Sequence, residues 1–421
     1  MNPKRAAPQR PYDVVLYGAT GFVGRQTVTY FAQHAGALRW ALAGRSAPKL
    51  EQVRAACGPL AAGAGIVVAD AADTKALNAL AAQTRVVLST AGPFALYGSA
   101  LVAACVQQGS HYVDITGETP WVRELIDRHH DQAARDGTRI IPCCGFDSVP
   151  SDLGAWLVAQ AVWQQHGEPC VSVKASHSMR GGVNGGTLAS ALNLMESGQQ
   201  RRLAEPFLLN PAGTEPHDAA ERARHSDPIA PYHDADFDAW LGPFFMGPVN
   251  TRVVRRSAAL LAARGDDGKA YAANFSYQEY MRYGQGPLAA AAAGGVTLGM
   301  GMGMAAIRFK PWRVVANALM PGSGSGPSEA SMDGGSFRCE LIAKSASGKL
   351  VRGRIADQGD PGNRATTKFV CEAALALASE SAASLPGGAS AGGVLTPASG
   401  LGLVLARRLA AAGMTIEPMG A

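Results

Sequence analysis

Three glycines spaced by pairs of residues, Gly18-Ala19-Thr20-Gly21-Phe22-Val23-Gly24, constrain this chain more than any other feature. Tyr12 to Tyr17 ahead of them is a short apolar run of the kind that forms a buried parallel strand, and Arg25 to Phe31 after them continues as a helix. A strand, a glycine turn and a helix N-terminus make an anion site, because the first helical N–H groups lack intrahelical acceptors and the helix dipole favours negative charge. In such a turn Gly18 allows the tight bend, Gly21 lets a pyrophosphate approach the backbone, and Gly24 lets helix and strand pack closely. Glycine is abundant here, 50 of 421 residues, so the triplet alone is weak; its place between strand and helix gives it weight.

The next strand, Trp40 to Ala43, ends in Gly44-Arg45-Ser46. A dinucleotide fold that takes NAD places an acid near this tip to hold the ribose 2′-hydroxyl. This chain has Arg45 and Ser46 there and no acid before Glu51. A guanidinium beside a hydroxyl suits a 2′-phosphate, so the expected cofactor is NADP(H); the bland alternative is a solvated surface arginine.

The length of 421 residues predicts two domains, and a composition 47% hydrophobic and 17% charged describes a well-buried globular chain. The net charge of +5 is scattered and accompanies no nucleic-acid motif, so nucleic-acid binding is not expected. Seven cysteines without a CxxC pattern read as reduced thiols in a cytoplasmic protein, with no metal site. Residues 1–11 are basic and proline-rich without an apolar core, and read as a flexible tail.

Strands and helices alternate over residues 12–150, which predicts an α/β Rossmann-type domain with a parallel sheet. Asp70 closes the third strand, within reach of an adenine amino group, and Thr90-Ala91-Gly92-Pro93 leaves the fourth on the carboxyl side, where open α/β sheets bind ligands. Residues 151–363 read as an α+β substrate or dimer domain with an antiparallel sheet, including a hairpin around Ser347-Gly348. Residues 204–248, rich in Pro, Asp and His, read as a long irregular insertion and a candidate lid. Residues 364–421 read as C-terminal helices packing back on the first domain, interrupted by a glycine-rich linker at 387–393.

Several of these stretches together resemble the saccharopine-dehydrogenase-like oxidoreductases. They are Tyr17 to Gly24, Gly92-Pro93-Phe94 with Tyr97-Gly98, His111 to Asp114 with Thr116-Gly117-Glu118, Cys144 to Asp152, Gly185-Gly186-Thr187, Gly359 to Gly362 and Gly393 to Ala398. Within that family the chain is most similar to the trans-acting enoyl reductases, from which it departs at Asn363-Arg364, where that branch usually has an aromatic residue. The resemblance implies NADPH-dependent reduction of a C=C bond on a lipid or polyketide-type acyl substrate, in lipid or glycolipid biosynthesis. An acyl carrier as partner, a homodimer, and peripheral contact with the plasma membrane are further expectations. Two rivals stay open: imine reduction on an amino-acid adduct, and a non-catalytic, membrane-associated nucleotide-binding protein.

Hydride transfer needs a proton donor and a group that stabilises developing charge. The catalytic candidates are Tyr97, Asp147 and Arg180. Tyr97 either donates a proton or packs its ring and bonds a backbone carbonyl; Asp147 with Ser148 also fits a helix N-cap. Arg180, followed by glycines at 181, 182, 185 and 186, either closes on a carboxylate or phosphate or borders a flexible turn. Asp114 and Glu118 fit caps or loop holders, and Cys143 and Cys144 fit buried structural thiols. Arg252, Arg255 and Arg256 form a basic patch on a helix, read as a solvated face or a dock for an acidic carrier. Leu288 to Ile307 carries no charge over 20 residues and contains five glycines; its readings are a lipid-facing or substrate-lining flap, a buried helix, or a true span.

Overall fold

The computed structural model describes residues 10–182, 185, 190, 198, 200–265, 269–306, 309 and 325–418. The tail residues 1–9 and most of the glycine stretch at 183–189 lie outside the described residues.

Alternation in the first third produces β1 (Tyr12–Tyr17), α1 (Phe22–His34), β2 (Trp40–Gly44), α2 (Ala47–Ala56), β3 (Gly65–Val68), α3 (Thr74–Ala82), β4 (Thr84–Ser89), α4 (Phe94–Tyr97), α5 (Ser99–Gln108), β5 (His111–Asp114), α6 (Thr119–Asp136) and β6 (Arg139–Ile141). The core of β1, Val14 to Leu16, is buried, as a strand covered on both faces requires. The strands form one parallel sheet in the order β13-β6-β5-β4-β1-β2-β3. Its switch in strand order falls at β1, flanked by β4 and β2, which puts the glycine turn at the crevice. The added edge strand, β13 (Gly393–Val394), comes from the stretch expected to be a linker. A two-residue strand with Gly393 at φ 122° has no pattern for a sequence reading to find.

A second seven-stranded sheet has the order β14-β12-β11-β7-β10-β9-β8. Its members are β7 (Cys170–Arg180), β8 (Tyr232–Asp234), β9 (Ala239–Pro243), β10 (Tyr271–Gly284), β11 (Ser336–Ser345), β12 (Leu350–Gln358) and β14 (Thr415–Glu417). The sheet is mixed rather than purely antiparallel, because β10 runs parallel to β7. The residue 204–248 stretch is not an irregular insertion either, since it supplies the edge strand β8 and its neighbour β9. Likewise 364–421 is not only helices: its last strand, β14, pairs with β12.

Of the later helices α7 (Val149–His166), α8 (Gly247–Ala262), α9 (Gly286–Ala306), α10 (Thr366–Ser379) and α11 (Pro397–Ala411), α9 packs by its base on β9 and β10 and stands away from the core, and the others run between the sheets. One apolar cluster joins Val14, Leu16 and Phe31 of the first sheet's layer to Leu341 and Ile355 of the second through α7 and α10. Buried Asp152 on α7 ties three helices, accepting hydrogen bonds from Ser257 Oγ on α8 and from the Ala398 N–H on α11 at 2.8 Å.

The arginines of α8 overturn the expectation of a solvated basic face. Arg252, Arg255 and Arg256 are all buried. Arg252 Nη1 reaches Asp227 Oδ2 at 2.5 Å, Arg255 Nη1 donates to the Pro206 carbonyl at 2.8 Å, and Arg256 Nη2 donates to the Val394 carbonyl at 2.6 Å. Guanidinium forks satisfy several loop carbonyls at once, and so hold the 203–227 chain against α8. No docking surface remains there. The reverse error concerns α9, where a buried helix was one expectation: only Ala289 and Ala293 of its 21 residues are buried.

Candidate functional site

The glycine turn is built as a phosphate cradle. Gly18 has φ 86°, and a Cβ there would lie 2.8 Å from the Ala91 nitrogen, so β1 and β4 can feed their loops into one crevice only with glycine at this point. A Cβ at Gly24 would lie 2.1 Å from the Gly18 carbonyl oxygen, which makes that glycine obligatory for the close packing of α1 on β1. Gly21 is the N-cap of α1, with no side chain competing for the first turn's N–H groups. Thr20, Phe22 and Val23 complete the rim, while buried Ala19 anchors it through an N–H bond to the Ala43 carbonyl at 3.3 Å. The Phe22 ring packs under Gly326, so the 325–328 loop covers one side of the cradle.

At the tip of β2, Arg45 is exposed and Ser46 is the N-cap of α2 without using its hydroxyl as a cap. Asp70, exposed at the end of β3, accepts from the Ala72 N–H at 2.9 Å. Both act on buried Tyr17: burial raises its phenol to about 12, with Asp70 pushing further up and Arg45 pulling down. The tips of β1, β2 and β3 therefore share one electrostatic environment, with a cation and a hydroxyl that does not cap its helix, a pair that suits a 2′-phosphate.

Across the crevice Thr90 holds the turn, its N–H donating to the Tyr17 carbonyl at 2.9 Å. Ala91, Gly92 and Pro93 follow as a partly exposed ledge. Glu118 determines what comes next. Its carboxylate accepts the Phe94 N–H at 2.7 Å and the Ala95 N–H at 3.0 Å, capping the N-terminus of α4, and accepts Ser190 Oγ at 2.8 Å. This capped turn carries Tyr97, which is 47% exposed and free to face a ligand rather than the core. Asp114 is a loop holder: its carboxylate takes the Thr116 N–H at 3.0 Å, the Cys143 N–H at 3.1 Å and the Tyr112 hydroxyl at 2.9 Å. Burial outweighs those bonds and raises it to about 7. Cys143 and Cys144 are buried thiols pushed up by desolvation, inert as nucleophiles.

Asp147 does not cap α7. Ser148 occupies the N-cap position and makes no capping bond, and Asp147 makes no hydrogen bond or ion pair among the described residues. Burial, with Glu279 nearby, raises its carboxyl to about 6. A Cβ at Gly117 would lie 3.8 Å from Asp147 Oδ2 and 3.4 Å from Met246 Cε, so the carboxyl and an apolar wall face the same gap beside the β5 loop.

Behind Asp147 lies a polar cluster that the sequence reading missed. Glu279 on β10 accepts from Ser151 Oγ at 2.7 Å, Tyr277 OH at 2.8 Å and Asn250 Nδ2 at 2.8 Å. His177 Nε2 on β7 is 3.5 Å from Glu279 Oε2, and Ser148 Oγ donates to Asn250 Oδ1 at 3.2 Å. Burial works against charge on His177, but Cys339 and Glu279 outweigh it and raise the ring to about 10. The ring stacks on Phe244 at 4.3 Å, and its Nδ1 is buried without a partner among the described residues. Only Ser148 and Ser151 lay in a stretch that had drawn attention; a lone histidine in a strand and a lone glutamate in another carry no local signal of their meeting.

Arg180, at the exposed end of β7, lies apart from this cluster, on the side where Gly182 packs against Pro327 and Gly181 against Asp360. The adjoining 325–328 loop also reaches Phe22, and Arg180 itself pairs with Ser336 of β11. At the departure noted above, buried Asn363 bonds the Asp360 carboxylate, and Arg364 donates to Gln26 Oε1 of α1 at 3.0 Å. Those two residues brace the loop against the dinucleotide domain.

Residues 14–141 match the saccharopine dehydrogenase NADP binding domain. A putative trans-acting enoyl reductase of Mycobacterium tuberculosis is 39% identical over 425 residues, covering 98% of each chain. The chain belongs to the trans-acting enoyl reductase family. A trans-acting enoyl reductase of Mycobacterium bovis is 38% identical, with 97% of this chain and 98% of the relative covered. Among solved structures, a saccharopine dehydrogenase (L-Glu forming) from Saccharomyces cerevisiae aligns over 96% of this chain and 99% of that chain, with TM-score 0.49 and 13% identity. As a member of the enoyl reductase family, the protein is an NADP-dependent oxidoreductase, and the glycine cradle with Arg45 fits that cofactor.

Proposed function

We propose that the protein is an NADPH-dependent enoyl reductase that saturates a C=C bond on a lipid or polyketide-type acyl group carried as a thioester. The single observation that carries the reading is the placement of Asp147, a raised and unengaged carboxyl, on the carboxyl side of an NADP-type sheet. Bound NADPH supplies a hydride to the carbon β to the acyl carbonyl. The chain's own residues do the rest. Gly18 to Gly24 hold the pyrophosphate, Arg45 and Ser46 the 2′-phosphate, and Asp70 the adenine. Thr90, Ala91, Gly92 and Pro93 line the nicotinamide ribose.

Reduction leaves enolate charge on the acyl oxygen, and the α-carbon must then gain a proton. Asp147 holds that proton, because burial keeps a fraction of it neutral at physiological pH. Tyr97, on the turn clamped by Glu118, donates a hydrogen bond to the enolate oxygen. Arg180 steers the carrier's phosphate end toward the crevice. The partners in this reading are an acyl carrier and a second copy of the chain, and the location is the cytoplasmic face of the plasma membrane.

The decisive experiment follows NADPH absorbance with a panel of enoyl thioesters and of imines formed from amino acids. Consumption with enoyl thioesters alone is the expected result. Turnover of imines alone would replace the reading with saccharopine-type chemistry, and binding of NADPH without turnover of either would make the protein a nucleotide-binding module.

A further inference from the structure

Helix α9 is the most unusual surface on the molecule. It carries no charged residue from Gly286 to Ala306, and only 11% of its apolar window is buried. Its base is seated: Ala289 and Ala293 are buried, and Thr297 Oγ1 lies 3.3 Å from the Cβ position of Gly242 on β9. Beyond Thr297 only Met300 and Ala306 of the helix are partly covered, and Leu298, Met302 and Met304 are between 63% and 66% exposed. A Cβ placed on Gly294, Gly295, Gly299, Gly301 or Gly303 would meet nothing within 4 Å.

The occupant of this surface must meet three conditions. It must cover the whole circumference, since Leu288, Val296, Leu298, Met302 and Met304 point in directions spread around the helix at 100° per residue. A protein partner covers one side, whereas hydrocarbon covers all of it; a helix apolar all round belongs in a large core or a membrane. It must suit the length of the free portion: Leu298 to Ala306 rises about 13 Å, close to half of the roughly 30 Å hydrocarbon core. It must also let the chain return. Gly284 leaves the second sheet, and Gly326 is already back against Phe22, so a full crossing would need a second crossing by residues 307–324. That sequence is short and contains Arg308, Lys310 and Arg313, which hydrocarbon excludes.

We infer that α9 is a monotopic anchor whose free end, Leu298 to Ala306, dips into one leaflet of a lipid bilayer without crossing it. The inference stands on the exposure of the helix and is independent of the reaction proposed above. The base of α9 rests on β9 and β10 of the second sheet, so that sheet is the part of the fold that carries the anchor.

The test uses the full-length protein and vesicles of neutral phosphatidylcholine, with flotation as readout. Binding that persists in 1 M salt is expected, because hydrocarbon insertion is not screened. The double substitution Leu298→Asp and Met302→Asp, at exposed positions away from the nucleotide crevice, should lower partition by at least about tenfold and leave NADPH affinity unchanged. A polarity-sensitive dye on Met302→Cys should be quenched by lipids brominated in the acyl chain. Flotation only with anionic vesicles and only at low salt would overturn insertion in favour of surface electrostatics. So would a dimer in solution that the double substitution dissolves, which would assign the helix to a second copy. Protection of the dye by a long-chain acyl thioester without vesicles would assign it to substrate, and would also overturn the anchor.

Discussion

Replacing Asp147 with Asn isolates the proposed proton donor. An exposed aspartate of pKa 3.8 is almost wholly ionised at pH 7, whereas at about 6 close to a tenth of Asp147 carries the proton. Burial thus increases the acid form roughly a hundredfold at neutral pH. The folded protein also holds this carboxyl's ionised form at some cost, so the variant should be somewhat more stable at neutral pH. If Asp147 delivers the proton, kcat should fall by about 10²- to 10⁴-fold in Asp147→Asn, with little change in NADPH affinity. The wild-type kcat should decline as pH rises through about 6, because the active form is the protonated one. Stopped-flow NADPH oxidation with an enoyl thioester between pH 5 and 8.5 reads both quantities. A loss under tenfold, or an inflection near 6 that survives in Asp147→Asn, would refute the assignment and leave Tyr97 as the donor.

Arg45→Ala should weaken NADPH by about 1.5–3 kcal/mol and leave NADH nearly unchanged by calorimetry; equal loss for both would remove Arg45 from the 2′-phosphate. Gly24→Ala should abolish dinucleotide binding, since its Cβ would lie 2.1 Å from the Gly18 oxygen; titration at wild-type affinity would show that α1 can shift away. Burial raises both Asp114 and Asp152 to about 7, so their contribution to stability is full below about pH 4 and lost as pH rises through 7. The melting temperature should therefore fall between pH 5 and 8 by less in Asp152→Asn than in wild type, and identical slopes would count against it.

The parallel sheet and its crevice were legible because their signals are local. Continuous apolar strands, glycines at a turn and an arginine at a strand tip each depend on a few neighbouring residues. The errors came where long-range contacts decide. Arg252, Arg255 and Arg256 look like surface charge by spacing, yet loop carbonyls from 206 to 209 and Val394 converge on two of them, and Asp227 on the third. The strands β8, β9, β13 and β14 are two to five residues long and take their form from partners already in place, so no period was there to find. For α9 the composition was read correctly as apolar, but whether such a helix is buried depends on what the rest of the chain leaves uncovered.

The polar cluster behind Asp147 connects these two kinds of information. Ser148 and Ser151 begin α7, the helix that leaves the dinucleotide sheet and packs on the second one. His177, Glu279 and Asn250 come from two strands and a helix of the second unit. A shift of α7 would therefore disturb Glu279 and the neighbourhood of Asp147 together. Burial raises Asp147 most and Glu279 adds to this through its negative charge, while His177 with the Ser151, Tyr277 and Asn250 donors disperses that charge. The acidity of the proposed donor is thus set first by its burial and then by the Glu279 charge that the second sheet brings toward α7. This explains why Asp147 reads from sequence as an ordinary cap, since Glu279, the charge that adds to its shift, lies 132 residues away.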